Sequence, residues 1–330
     1  YHVGEEFRHI LSGLRHIDEV IEHFRYKAGD RLGHAIALGQ DVDEWVRNNE
    51  VVVLPRMEYM ENLLWLWGNI VYRKVGIHIM VEELEGRIMD AAKEIFGDVI
   101  GINTFVLYEA YQEKFNLSHD FVFKECEKSL VGEEQEENSQ GHFCRLYDVE
   151  SVRGKGWVWT KEKLLCTYYC PYHSLRFREP VFISVSSDER EILKEIQAQI
   201  IAKVEKKGIY VETNPTSNTA IGQQTSLLNH YIMNLNSLGL KKSGDDYAVL
   251  VTINSDDPVI FNTHVENELS YIYHALVHNG YEKERILRWI DKVRQFGMDS
   301  CFVKKIKKPS EQIEEIRVIL EEIKAYIKHG

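Results

Sequence analysis

Apolar residues recur at helical spacing soon after the start of the chain. Ile10, Leu14, Ile17, Val20, Ile21 and Phe24 stand among charged neighbours, which predicts an amphipathic helix that Gly29-Asp30 stops. A short β-like start precedes it, and Arg31 to Leu38 follows as an apolar strand ending near Gly39. Val51-Val52-Val53-Leu54 then runs up to Pro55, and a helix with Leu63, Leu64, Trp65, Leu66 and Trp67 comes next. A second helical region spans about 81–115, interrupted near Gly97 and Gly101. Beyond an acidic loop, Glu133 to Ser139, come aromatic-rich pieces that read as strands: Trp157-Val158-Trp159, Leu164 to Tyr169, and Val181 to Val185. Ser187-Asp188 caps a helix that reaches about Lys206 and ends at Gly208. The strands Ile209 to Glu212 and Tyr247 to Ile253 follow, and helices fill the remainder, with an amphipathic one from Ser310 to about Ile327. Short strands separated by helices imply a parallel sheet. Four of these strands carry polar residues at their C-terminal ends, where a (β/α) barrel keeps its active site.

Composition narrows the class. With 44% hydrophobic and 28% charged residues the chain buries a sizeable core and is not a disordered one. A net charge of −12 argues against non-specific binding to nucleic acid or to anionic membrane. Five cysteines at irregular spacing do not make a secreted disulfide framework, so a reducing cytoplasm is expected. No apolar run approaches the roughly 18 residues of a membrane span. The opening Tyr1-His2-Val3-Gly4-Glu5 lacks an initiator Met and reads as the middle of a protein.

The four strand ends are His2-x-Gly4-Glu5, Gly33-His34, Asn214-Pro215-Thr216-Ser217-Asn218 and Ser255-Asp256-Asp257-Pro258. Each alone is ordinary. A His at a strand end is usually a satisfied polar residue, and Asp-Asp-Pro usually makes a turn. Together and in this order they resemble the C-terminal half of the adenosine deaminase family of metal-dependent hydrolases. That family carries His-x-Gly-Glu, Gly-His, Pro-x-Ser-Asn and Asp-Asp-Pro after its fifth to eighth strands. The likeness covers about 1–40 and 188–300.

The resemblance implies a fold, an activity and a set of roles. The fold would be α/β, the strand-five-to-eight half of a (β/α)8 TIM barrel. Strands five and six would lie in 1–50, an α+β insertion in 51–186, and strands seven and eight with the C-terminal helices in 187–330. The reaction would be zinc-dependent hydrolytic deamination of an adenine base. Zn²⁺ suits it because a bound ion brings the pKa of its water to about 7 and so supplies hydroxide. His2 and Asp256 would be metal ligands, with Asp256 also taking the water's proton. Glu5 would give a proton to purine N1, which demands a protonated carboxyl. His34 would orient the hydroxide, Asp257 would hydrogen-bond purine N7, and the segment ending at Asn218 would shape the pocket floor.

Two departures accompany the likeness. The family's His-x-His pair after its first strand and its strand-four glycine region are missing, so two expected zinc ligands would have to come from elsewhere. About 150 residues also separate strands six and seven, where a barrel link carries one helix. Such an insertion resembles the larger anti-phage deaminases of the RADAR and CRISPR-associated types. These are cytoplasmic assemblies acting on adenine nucleotides including ATP, so homo-oligomers and a partner ATPase or sensor domain are implied. The rival readings are an assembly scaffold with a decayed barrel, and a deaminase of RNA adenines brought by a partner. Inside the insertion, Cys166-x3-Cys170-x2-His173 with His142-x-Cys144 offers soft ligands at no standard zinc spacing, and buried core cysteine is the commoner meaning. Trp65, Trp67, Trp157, Trp159, Tyr168, Tyr169 and Tyr172 make either that module's core or an oligomer interface. Arg153-x-Lys155 and Arg176-x-Arg178 read as solvated surface.

Overall fold

In the computed structural model the described residues are 1–73, 80–116, 158–168, 171–221, 227–240, 248–301 and 309–329. Four short strands, β1 (His2–Val3), β2 (Arg31–His34), β5 (Tyr210–Thr213) and β6 (Leu250–Ile253), form one sheet in the order β1-β2-β5-β6, every pair parallel. Its register sets His2 opposite Gly33 and Val3 opposite His34, so two motifs share one rung. The fold is therefore α/β with a parallel sheet.

Helix α1 (Ile10–His23) links β1 to β2 and buries Ile10, Leu14, Ile17 and Ile21. His9 caps it, Nδ1 accepting from the Leu11 N–H at 3.1 Å. The helix Ser187–Lys207 precedes β5. Its N-cap is Ser186, one position earlier than expected, and Gly208 closes it at φ 65°. The helix Lys283–Asp299 packs on β6.

Two local expectations are corrected. The strand from Arg31 does not run on to Leu38. It stops at His34, because His34 (φ 62°) and Ala35 (φ 46°) are left-handed and turn the chain into a short helix, α2 (Ile36–Gly39), which α3 (Val42–Asn48) follows. The run from Leu164 is helical: Lys161–Tyr168 buries Leu164, Leu165 and Cys166, and the Thr160 hydroxyl accepts from the Lys163 N–H at its start. A short apolar run fits either element, and here neighbouring packing decides.

The segment 51–186 leaves and rejoins the sheet through a two-stranded antiparallel ribbon, β3 (Val51–Pro55) with β4 (Pro180–Ser184), Val51 pairing Ser184. On it stand α4 (Arg56–Val71), α5 (Val81–Phe96) and α6 (Thr104–Glu113), the helix Lys161–Tyr168 and the helix Pro171–Phe177. One continuous apolar core joins these helices to α1 and to the sheet. Trp65, Trp67 and Trp159 are buried in that core, which leaves them no part in an oligomer interface. Trp157, Tyr169, Cys170, Arg153, Lys155, the acidic loop and His142-x-Cys144 lie outside the described residues. Cys166 is disulfide-bonded, which removes it as a metal ligand. Among the described residues no helix is long and apolar enough to cross a membrane.

Candidate metal centre

The parallel order brings three of the four motifs to the C-terminal edge of the sheet, and the fourth follows β6. His2, Glu5 and His34 each offer a ligand atom, and these atoms lie within 4.8 Å of one another, the one such group among the described residues. The local sequence explains the convergence. Gly4 takes φ +64°, which turns the chain sharply between His2 and Glu5, and a Cβ there would meet Ile17 Cδ1 at 2.5 Å. Gly33 lies under the His2 imidazole, where a Cβ would stand 2.3 Å from His2 Cδ2. The His2 and His34 rings meet edge to face, centroids 4.6 Å apart.

Asp256 joins from the fourth strand. Its Oδ2 stands 3.6 Å from His34 Nε2 and accepts from the Ser217 hydroxyl at 2.6 Å. It is outside the tight group of three but on the other side of the same imidazole. His34 is buried, while Glu5 and Asp256 are partly open to solvent and His2 is exposed. Both His34 and Asp256 (φ 58°) hold left-handed backbone. Non-glycine residues pay about 1–3 kcal/mol for such strain and keep it only where the surroundings impose it, a habit of functional sites.

Asp257 stands apart. It is exposed, and its Oδ1 accepts from the N–H groups of Val259 (3.0 Å) and Ile260 (3.1 Å), a turn role. Asn218 is fully buried and touches His34: Oδ1 lies 2.7 Å from Nδ1. Asn214 Nδ2 lies 3.4 Å from both ring nitrogens.

Two residues outside the motifs support the group. Tyr231 bonds both Asn218 and the His34 carbonyl. Glu268, fully buried, accepts from the Thr216 N–H at 2.8 Å and from the Thr216 and Thr263 hydroxyls. It thereby ties the start of the helix Pro215–Ile221 to the loop after Asp257. Neither carries a sequence signature, because each reaches its partners only through the fold. Ser217 lies inside the Asn214–Asn218 motif, but the carboxylate it bonds, Asp256, is 39 residues further along the chain.

A cleft of about 450 Å³ opens beside His2 and Glu5. His16, Glu19 and His23 of α1 and Phe115 beyond α6 wall it. Burial depresses His16 and His23 below the ordinary imidazole range, so both are neutral at pH 7. Two imidazoles with carboxylates form a nitrogen and oxygen donor set that fits Zn²⁺, and Gly33 leaves His2 the space to reach it.

Neither the protein-family models nor the curated proteins contain a match to this chain.

Proposed function

We propose that the chain is a zinc-dependent hydrolase that deaminates the adenine base of a nucleoside or nucleotide, ATP included, to the hypoxanthine form. One observation carries this reading: ligand atoms of His2, Glu5 and His34, at the ends of two adjacent parallel strands, lie within 4.8 Å of one another, with Asp256 from the loop after β6 against the same imidazole. The strand order β1-β2-β5-β6, parallel and following the chain, supports strands five to eight of a (β/α)8 barrel.

Zinc, when bound, supplies a hydroxide nucleophile at neutral pH. His2 and Asp256 would hold the ion, with His34 and Glu5 beside it. In the balanced reaction one water is consumed, the C6–N bond breaks and the amino group leaves as ammonia; Glu5 would be the group that faces purine N1, and Asp256 the carboxylate placed to take the water's proton. Asn218 and Ser217 hold His34 and Asp256 in place, and by the likeness Asp257 would face purine N7. By the same likeness the protein works in the cytoplasm in anti-phage defence, as a homo-oligomer, with an ATPase or sensor as partner.

The test uses the full-length polypeptide, metal-loaded, with adenosine, AMP, ATP and an RNA oligomer, following loss of the adenine absorbance. Turnover should appear on at least one substrate and fall by at least about 100-fold in Glu5→Ala. Turnover that survives both Asp256→Asn and chelation sinks the zinc mechanism, and no turnover on any substrate favours the scaffold.

The glycine beneath His2 gives a separate expectation. Gly33→Ala should swing the exposed His2 ring aside, changing stability by less than about 1 kcal/mol. Zinc affinity should drop by about 10- to 100-fold. Titration with a competing chelator measures the second effect, and urea midpoints the first.

A further inference from the structure

Beneath His34 lies a closed ring of hydrogen bonds that none of the motifs announces. His34 Nδ1 is 2.7 Å from Asn218 Oδ1, Asn218 Nδ2 is 3.0 Å from Tyr231 Oη, and Tyr231 Oη is 2.5 Å from the main-chain oxygen of His34. All three residues are at most 1% exposed, so water does not compete.

Donor counting places every proton in the ring. The His34 carbonyl only accepts, so the single phenolic proton of Tyr231 goes to it. Tyr231 Oη then accepts from Asn218, which turns the amide NH2 toward the phenol and the amide oxygen toward the imidazole. An amide oxygen only accepts, so Nδ1 of His34 carries a proton, and in the neutral ring Nε2 then keeps a lone pair. Of the other neighbours, Glu5 Oε1 faces Nδ1 at 3.4 Å, Asn214 Nδ2 is 3.4 Å from both ring nitrogens and so does not discriminate, and Asp256 Oδ2 stands 3.6 Å from Nε2, beyond hydrogen-bond reach. Burial pushes the Tyr231 phenol well above its ordinary range, so its proton stays in place.

We infer that Tyr231 is a positioning residue: acting through Asn218, it fixes the Nδ1–H tautomer of His34 and leaves Nε2 as an acceptor on the Asp256 side. The tautomer stands on the geometry alone, and its catalytic consequence rests on the deaminase reading. On that reading an Nε2 lone pair receives a hydrogen bond from the attacking water, whereas Nε2–H would oppose it.

The experiment records long-range proton–nitrogen NMR correlations of the histidines at mildly alkaline pH. The His34 signals are assigned by their loss in His34→Asn. Wild-type protein should show Nδ1 protonated and Nε2 bare. Tyr231→Phe keeps the ring's volume and should convert His34 to a mixture of tautomers. Asn218→Asp, which keeps an acceptor opposite Nδ1, should retain the wild-type pattern. In an active preparation Tyr231→Phe should lower kcat by about 10- to 100-fold with KM little changed. A wild-type His34 protonated at Nε2, or a Tyr231→Phe spectrum identical to wild type, overturns the assignment. Because the spectra need no turnover, they decide it even if no substrate is ever deaminated.

Discussion

Arg15→Met should destabilise the fold by about 3–5 kcal/mol, read as a large fall in the urea midpoint at unchanged slope. Arg15 is buried in the middle of α1 and ties that helix to α4. Its Nε donates to Asn62 Oδ1 at 2.8 Å, and Nη1 donates to Glu19 at 2.7 Å and to Glu61 at 3.1 Å. Lys114 bonds the other oxygen of Glu61, and the Tyr111 hydroxyl donates to Glu19. Burial alone opposes the charge on Arg15, but Glu19 and Glu61 outweigh it and hold the guanidinium charged. Burial likewise opposes ionisation of Glu61, and Lys114 and Arg15 overcome it, keeping the carboxylate below its usual range. Methionine fills most of the volume, so the loss is electrostatic: two carboxylates would remain in the seam with one lysine between them. Since the pair is shielded from solvent, the effect should persist in high salt. In a double-mutant cycle, Glu61→Gln in the Arg15→Met background should cost less than it does alone, and strict additivity would mean that the two side chains are not coupled.

The polar face of α1 also shows where the sequence stopped being readable. The apolar positions of α1 stand out by spacing, and the charges between them read as a solvated side. That side instead faces α4 and α6. Arg15 is buried there, and so is Asp18, which accepts from the Trp65 indole at 2.8 Å and pairs with Arg73 and Lys203. Trp65 is thus a tie between the insertion and the sheet layer, a role that hydropathy does not encode. The four strand ends were legible because each packs its polar residues into a few consecutive positions, and a parallel sheet gathers such ends at one edge. Asp257 shares a motif with Asp256, yet a single residue's step along the loop turns it from the imidazole to solvent. Tyr231 and Glu268 stayed hidden because the contacts that tie them to the site, to the His34 carbonyl and to Thr216, span 197 and 52 residues, a separation that no local pattern covers.

Stability should fall as the pH drops below about 6.5, by on the order of 4 kcal/mol at pH ~5, through His9 and His230. Burial and then the nearby Arg87 hold His9 down to about 4, and burial alone holds His230 down to about 3. The structure gives both the same reason to stay neutral. Each uses Nδ1 as an acceptor for a helix-capping N–H, Leu11 for His9 and Ile232 for His230. Protonation would put a hydrogen where a lone pair is needed. The sign follows from proton counting. Between the folded values and the unfolded imidazole value near 6.5 the unfolded chain binds both protons and the native chain neither, so acid favours unfolding. Each histidine then contributes a slope of about 1.4 kcal/mol per pH unit, and two together about 2.7. Asp18, kept below its ordinary range by Lys203 and Arg73 against the cost of burial, adds a loss of the same sign at lower pH. Urea denaturation at closely spaced pH values measures the slope. His9→Asn keeps a capping acceptor while removing the titrating ring, and it should take about half of the slope away. A flat profile from neutrality to pH ~5 would mean that neither histidine is held neutral by the fold.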